Sequence, residues 1–154
     1  MGVYTRFKRD PDGFRALVEL LESTPASRRQ KMIDVGMDED RAYTEKALEY
    51  VLTFEDILNL PEGELAELTA AAPARSISTA VASLGPEVRE RFLRATPPKK
   101  MGEVRDGFDH PVTKAEIGGA QMKLIQVARS LEKQGHIRTK RIPLRLDLDT
   151  KSSK

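Results

Sequence analysis

The sequence has 154 residues, 39% of them apolar and 32% charged, with 26 basic against 24 acidic residues for a net charge of +2; that suits one globular domain or two small helical lobes. Cysteine is absent, which excludes disulfides and thiolate metal sites and fits a reducing cytoplasm. Aromatics at 5% with no tryptophan offer few platforms for single-stranded nucleic acid, and no apolar run approaches the about 20 residues needed to cross a bilayer.

In chain order, Met1–Asp10 carries Arg6, Lys8 and Arg9 without the apolar stretch of a signal peptide, so residues 1–11 read as an N-terminal extension. Asp10-Pro11-Asp12-Gly13 then punctuates the chain before Phe14, Leu17, Val18, Leu20 and Leu21, an amphipathic helical stripe. Thr24-Pro25 predicts an N-cap with a first-turn proline, and Gly36 the stop of that second helix. A third helix is expected from near Asp38 to Leu52, with Asp38-Glu39-Asp40 as a first-turn acidic cluster facing the helix dipole; the run lacks the ligand spacing and turn glycine of a calcium loop. Phe54, Ile57, Leu58 and Leu60 make a short apolar turn before Pro61.

Pro61-Glu62 opens a helix bearing Leu65, Leu68 and Ala71, and Ile77, Ala80 and Val81 mark another. Gly85-Pro86-Glu87 and Thr96-Pro97-Pro98 start two more, carrying Val88, Phe92 and Leu93, then Met101 and Val104. His110-Pro111 breaks the chain. Thr113-Lys114-Ala115-Glu116 is a capping box for the longest predicted helix, which bears Ile117, Ala120, Leu124, Ile125, Ala128 and Leu131 and stops at Gly135. Many short helices on short loops predict an all-α orthogonal or armadillo-like array. From Arg138 on, Ile142, Leu144, Leu146 and Leu148 alternate with polar residues or proline, which reads as a frayed or docked extended tail, with an edge-adding segment as the alternative.

Catalytic and metal-binding chemistry is missing. His110 and His136 are far apart and each lies beside a helix end; no metal-ligand spacing exists; and Gly118-Gly119 falls inside a helix, where it is expected to permit close packing and not to cradle a phosphate. No catalytic residue, cofactor or metal is therefore expected. Charges of both signs interleave, which argues against a broad nucleic-acid footprint. The basic group Arg138, Lys140, Arg141 and Arg145 is the minor exception, testable by salt dependence.

Three strings carry a resemblance. Residues 12–21, DGFRALVELL, resemble the opening of the C-terminal domain of the flagellar motor switch protein FliG, which has "AVAEIL". Residues 47–58, ALEYVLTFEDIL, are similar to that family's "IRKLMFVFEDLL", at matching distance from the first string. Pro111-Val112, Ala120-Gln121 and residues 131–137, LEKQGHI, are similar to its "GPV…AQ…LEEEGEI" close. The resemblance implies an armadillo-like lobe, residues 12–52, and a multi-helix lobe in a right-handed array, residues 53–137; beyond it, residues 138–154 read from their own composition as a basic, extended and partly disordered tail. The hinge between the lobes would comprise Val51, Leu52, Thr53 and Phe54.

The resemblance further implies a rotor role. A charged helix would face the stator, transmitting torque and direction at the cytoplasmic face of the flagellar basal body, peripheral to the membrane and without a cofactor or covalent step. The charged helix would present Lys99, Lys100, Arg105 and Asp106 to the stator protein and to other switch proteins. Against the family pattern, its ridge lysine falls at Ala82, one of two adjacent acids at Gly107 and a later arginine at Thr113. The resemblance does not extend to the family's N-terminal and middle domains, and Met1-Gly2-Val3-Tyr4 reads as a natural start. These departures define the alternative: a stand-alone interaction module docking onto other armadillo-type helical modules, without a motor role.

Overall fold

The computed structural model describes residues 7–143, and every regular element in that range is helical. The chain forms two compact units. One comprises the residues up to Val51 together with those from Lys140 on, and the other is Leu52–Thr139.

The first unit is built on α1 (Gly13–Ser23), α2 (Ala26–Glu39) and α3 (Arg41–Tyr50). Of the predicted α1 stripe, Phe14, Leu17, Val18 and Leu21 are buried, against Tyr43, Ala47 and Val51, whereas Leu20 turns outward and is exposed. Phe14 sits edge-on to Tyr43 and Tyr50, with ring centroids 5.6 and 5.7 Å apart, an arrangement that adds about 0.5–1.5 kcal/mol per pair beyond area burial. Ahead of α1, residues 7–9 form one helical turn, from which Phe7 packs on this core and Lys8 pairs with Asp40.

Three expectations fail around α2: Thr24 does not cap it but ends α1, its hydroxyl donating to the Leu20 carbonyl at 2.6 Å, and Pro25 is itself the N-cap. Gly36 does not end the helix; it is buried within it, and its carbonyl accepts from the Asp40 N–H at 2.8 Å. The break comes at Asp40, whose φ of −158° leaves the helical region and whose carboxylate accepts from the Tyr43 N–H, capping α3. Asp38 and Glu39 therefore close α2 and do not open α3. The charge order of α2 runs against its macrodipole: Arg28, Arg29 and Lys31 lie toward its start and Asp34, Asp38 and Glu39 toward its end. In the end turns, where the dipole is felt, an exposed charge so placed, such as Arg28 or Asp38, costs on the order of 0.3–1 kcal/mol at low salt.

Ile142 completes the first core. It is 2% exposed and packs with the α1 and α3 side chains. Lys140, held at φ +51°, donates from Nζ to the Val51 carbonyl at 2.9 Å. The chain from Lys140 to Ile142 is thus docked; Leu144, Leu146 and Leu148 lie outside the described residues.

The second unit contains α4 (Phe54–Leu58), α5 (Glu62–Ala71), α6 (Ala74–Ala80), α7 (Pro86–Ala95), α8 (Pro98–Gly107) and α9 (Lys114–Lys133). Prolines set the starts: Pro61, Pro73 and Pro97 are extended N-caps, and Pro86 and Pro98 occupy the first helical turn. The predicted apolar turn at Phe54 is instead a short helix with its own capping box, Thr53 to Asp56. The long helix α9 packs on α4, α5 and α6, and α6 also packs on α8. Leu65, Leu68, Ile77, Phe92, Val104 and Leu124 are fully enclosed in the core, each contributing about 1.5–3 kcal/mol by burial. Thr113 and Glu116 form the predicted box, and Gly135, at φ +90°, ends α9 by letting the His136 N–H return to the Leu131 carbonyl at 2.8 Å. Gly118 and Gly119 do not serve packing: both are exposed, and a Cβ at either would meet nothing within 4 Å.

Polar side chains pin these helices to one another's ends. The Arg91 guanidinium donates to the Leu58 carbonyl at 2.8 Å and to the Leu60 carbonyl, and pairs with Glu62 at 3.1 Å. Thr69 donates to the Ala95 carbonyl at 2.8 Å, and Gln121 to the Ala80 carbonyl at 3.1 Å. The Glu64 carboxylate gathers the Arg138 N–H, the Thr139 N–H and the Thr139 hydroxyl at 3.1, 3.3 and 2.6 Å.

Candidate functional site

The candidate charged helix is α8. Val104 is its buried residue, with Met101 and Phe108 packed beside it on the core. Helical spacing then turns Lys99, Gly102 and Asp106 directly outward, with Glu103 and Arg105 on the two flanks, and all five are exposed. The result is a ridge of mixed sign with a gap at its middle, because nothing lies within 4 Å of a Cβ at Gly102. Glu103, one turn beyond Lys99, belongs to this face; the i, i+4 spacing in the sequence was the signal for it.

Lys100 does something else. Its ammonium donates to the carbonyls of Thr69, Ala70 and Ala72 at 3.1, 2.8 and 2.6 Å, closing the C-terminal end of α5. All three protons are used, in the position where a cation complements the dipole. Burial pushes its pKa below the ordinary lysine value, Lys99's like charge adds to that, and Glu103 opposes it. The structure therefore brings Lys99, Arg105 and Asp106 together on the outer face and turns Lys100 toward the fold.

Neighbouring contacts fix how α8 is held. At Gly107 a Cβ would lie 2.2 Å from Ser78 Oγ and 2.7 Å from Ser78 Cβ, so α8 and α6 meet there with no room for a side chain. An acid next to Asp106 is thus sterically excluded. Arg89 lies over the Phe108 ring, 5.8 Å from its centroid, at the end of α8. Ala82 falls in the turn after α6, and Thr113 is occupied as the α9 cap, a role an arginine side chain cannot take.

The four residues expected at a hinge lie where the first unit gives way to the second. Val51 ends α3 in extended geometry, Thr53 is extended at φ −109°, ψ 166°, and Phe54 begins α4. Val51 and Leu52 are buried, while the Thr53 hydroxyl accepts from the Asp56 N–H at 3.2 Å. Among the described residues no group of three or more histidines or acids is placed to hold a metal, and no helix is long and apolar enough to cross a membrane.

The FliG C-terminal domain model matches residues 37–138, well over half of the chain. This chain belongs to the FliG C-terminal domain family. The flagellar motor switch protein FliG of Thermotoga maritima is 21% identical over 127 residues, which are 81% of this chain and 38% of the relative. FliG of Aquifex aeolicus is 23% identical over 128 residues, 82% and 39% of the two chains. The chain thus spans less than half the length of these FliG relatives. The fold agrees with a solved fragment of H. pylori FliG at a TM-score of 0.59, with 21% identity and coverage of 82% of this chain and 60% of that one. Full-length Aquifex aeolicus FliG gives 0.51 at 22% identity, covering 80% and 39%. The all-helical class expected from the sequence is the FliG C-terminal fold.

Proposed function

We propose that this chain acts in a flagellar motor switch, with α8 as the ridge through which a charged stator surface exerts torque on it. The observation that carries the reading is the outward face of α8. Lys99, Glu103, Arg105 and Asp106 are exposed on a helix whose opposite side is tied to the core by Val104, Lys100 and Gly107. A ridge fixed in this way can transmit force without bending. Val51, Leu52, Thr53 and Phe54 would be the hinge through which the ridge is redirected. The working position would be the cytoplasmic face of the basal body, beside other switch proteins. Exposed charge pairs contribute about 0.2–1 kcal/mol each and are screened by salt, so such a contact is strong only as a set.

Reversal of the ridge tests this. Combined Lys99→Glu and Asp106→Lys in the native organism is expected to abolish swimming or bias its direction while circular dichroism of the purified protein stays unchanged. Normal motility with the double reversal sinks the torque role.

One set of observations favours a second reading, an interaction module without a motor role that docks onto other armadillo-type modules. Ala82 and Thr113 carry no ridge charge, Gly107 admits no acid, and Lys100 is engaged by α5. Co-purification of this chain from its native cells with armadillo-type proteins but with no motor component would decide for that reading.

A further inference from the structure

The outer face of α2 has a charge order that the fold of the first unit does not explain. Arg28, Lys31, Val35 and Asp38 are all exposed, and Val35 at 46% is more exposed than Leu20 at 39%, the other exposed large apolar residue described. Their 3-4-3 spacing sets them on one narrow stripe, the pattern of a helix–helix seam. The helix has no acid in its first turn and no base in its last, the reverse of what its own dipole favours. Among the described residues none of Arg28, Lys31 and Asp38 makes an ion pair within the chain. The charge order is nevertheless complementary to its own reversal.

We propose that this stripe is a self-complementary seam through which two copies of the chain pair, α2 against α2, antiparallel about a two-fold axis near Ile33. In that register Arg28 faces Asp38 of the second copy and Lys31 faces Val35 of the second copy, and each contact occurs twice by symmetry. The two outer layers are ion pairs. In the two inner layers the Lys31 stem lies along the valine while its ammonium stays in water. Parallel pairing would set Arg28 on Arg28 and Asp38 on Asp38, and a partner of single-signed charge would satisfy only one end of the stripe. A single helix face buries less than the about 800 Å² per partner of a stable interface, so the association is weak and depends on salt. The inference stands apart from the motor reading, since it uses no residue of α8.

Sedimentation equilibrium on the full chain tests it. At low salt the weight-average mass is expected to rise with concentration from the 17.2 kDa of the monomer toward twice that value, and to fall back in about 0.5 M salt, where the screening length is only a few ångströms. Arg28→Glu alone and Asp38→Arg alone are each expected to return the mass to that of the monomer. The double variant R28E/D38R, which swaps the charges but keeps them complementary, is expected to restore the concentration dependence. All sites are exposed, so circular dichroism should be unchanged in each variant. A monomer mass up to roughly 1 mM, the weak end of specific association, overturns the proposal. So does a double variant that stays monomeric, or a mass rise that neither single variant affects.

Discussion

The two units solve the same problem, how to hold short helices together, with different emphasis. In the second, side chains from one helix satisfy the open carbonyls at the end of another: Arg91 at Leu58 and Leu60, Lys100 at Thr69 to Ala72, Gln121 at Ala80. Its core is nearly all aliphatic, with Phe92 as the one aromatic among its fully enclosed side chains. The first unit uses that device at Arg29 of α2, which donates to the Glu22 and Thr24 carbonyls at the end of α1 at 3.4 and 3.1 Å, and adds an aromatic group around Phe14, a surface pair at Lys8 and Asp40, and a segment brought back from the far end of the sequence. Its second helix has Gly36 as its one buried residue. Stapled helix ends resist local opening, whereas a helix with little buried surface belongs to the low-stability end of a protein. The ridge on α8 thus sits in the more heavily tied unit, and α2 is the more lightly buried helix.

Substitutions can break or sharpen that contrast. The largest effect is expected from Ile142→Ala, which empties a closed position and should cost about 2–5 kcal/mol. The three tyrosines lie at positions 4, 43 and 50, so tyrosine fluorescence reports on the first unit. Its denaturation midpoint should fall while the helical signal of the second unit holds; an equal shift in both would show that the units do not melt separately. Next is Lys100→Met, which strands three carbonyls at the end of α5 and should cost about 1–3 kcal/mol, read as an earlier loss of helical circular dichroism.

Tyr43 sharpens the contrast from the opposite direction. Its hydroxyl is buried without a hydrogen-bond partner among the described residues, so Tyr43→Phe should stabilise the first unit by about 1 kcal/mol. Burial, aided by the Asp40 charge, pushes the phenol up to about 12 from 10.0. A folded-state value above the unfolded one means that stability is fully present below pH 10 and is lost as pH rises toward 12. The wild-type first unit should weaken across that window, and the phenylalanine variant should lose that part of the decline. The smallest effects belong to α9: Gly118→Ala and Gly119→Ala should each stabilise by about 0.5–1 kcal/mol in thermal melts, since nothing crowds either position. Destabilisation at either would mean that the exposed backbone there is engaged.

Helix existence was legible because apolar spacing and proline punctuation agree, and the Thr113–Glu116 box could be read directly from four residues. What failed was what depends on distant partners. Gly36 looks like a stop, yet continuation of α2 is decided by Asp40 further on. Gly118-Gly119 looks like a packing notch until the face it occupies is known. Lys99 and Lys100 are adjacent identical residues with opposite fates, because one helical step of about 100° separates water from the α5 carbonyls. Ile142 gave only an alternation, and its burial rests on the α1 and α3 side chains that share its core.

That last contact has a bearing on how the molecule is made. The first unit is interrupted: its early helices leave the ribosome long before Ile142, and all of Leu52–Thr139 is synthesised in between. Its core therefore lacks Ile142 until the later unit is synthesised and the closing segment arrives. Domains that close this way form contacts of high sequence separation and fold slowly. In topology the second unit interrupts the first, and Lys140 reaches back to the Val51 carbonyl.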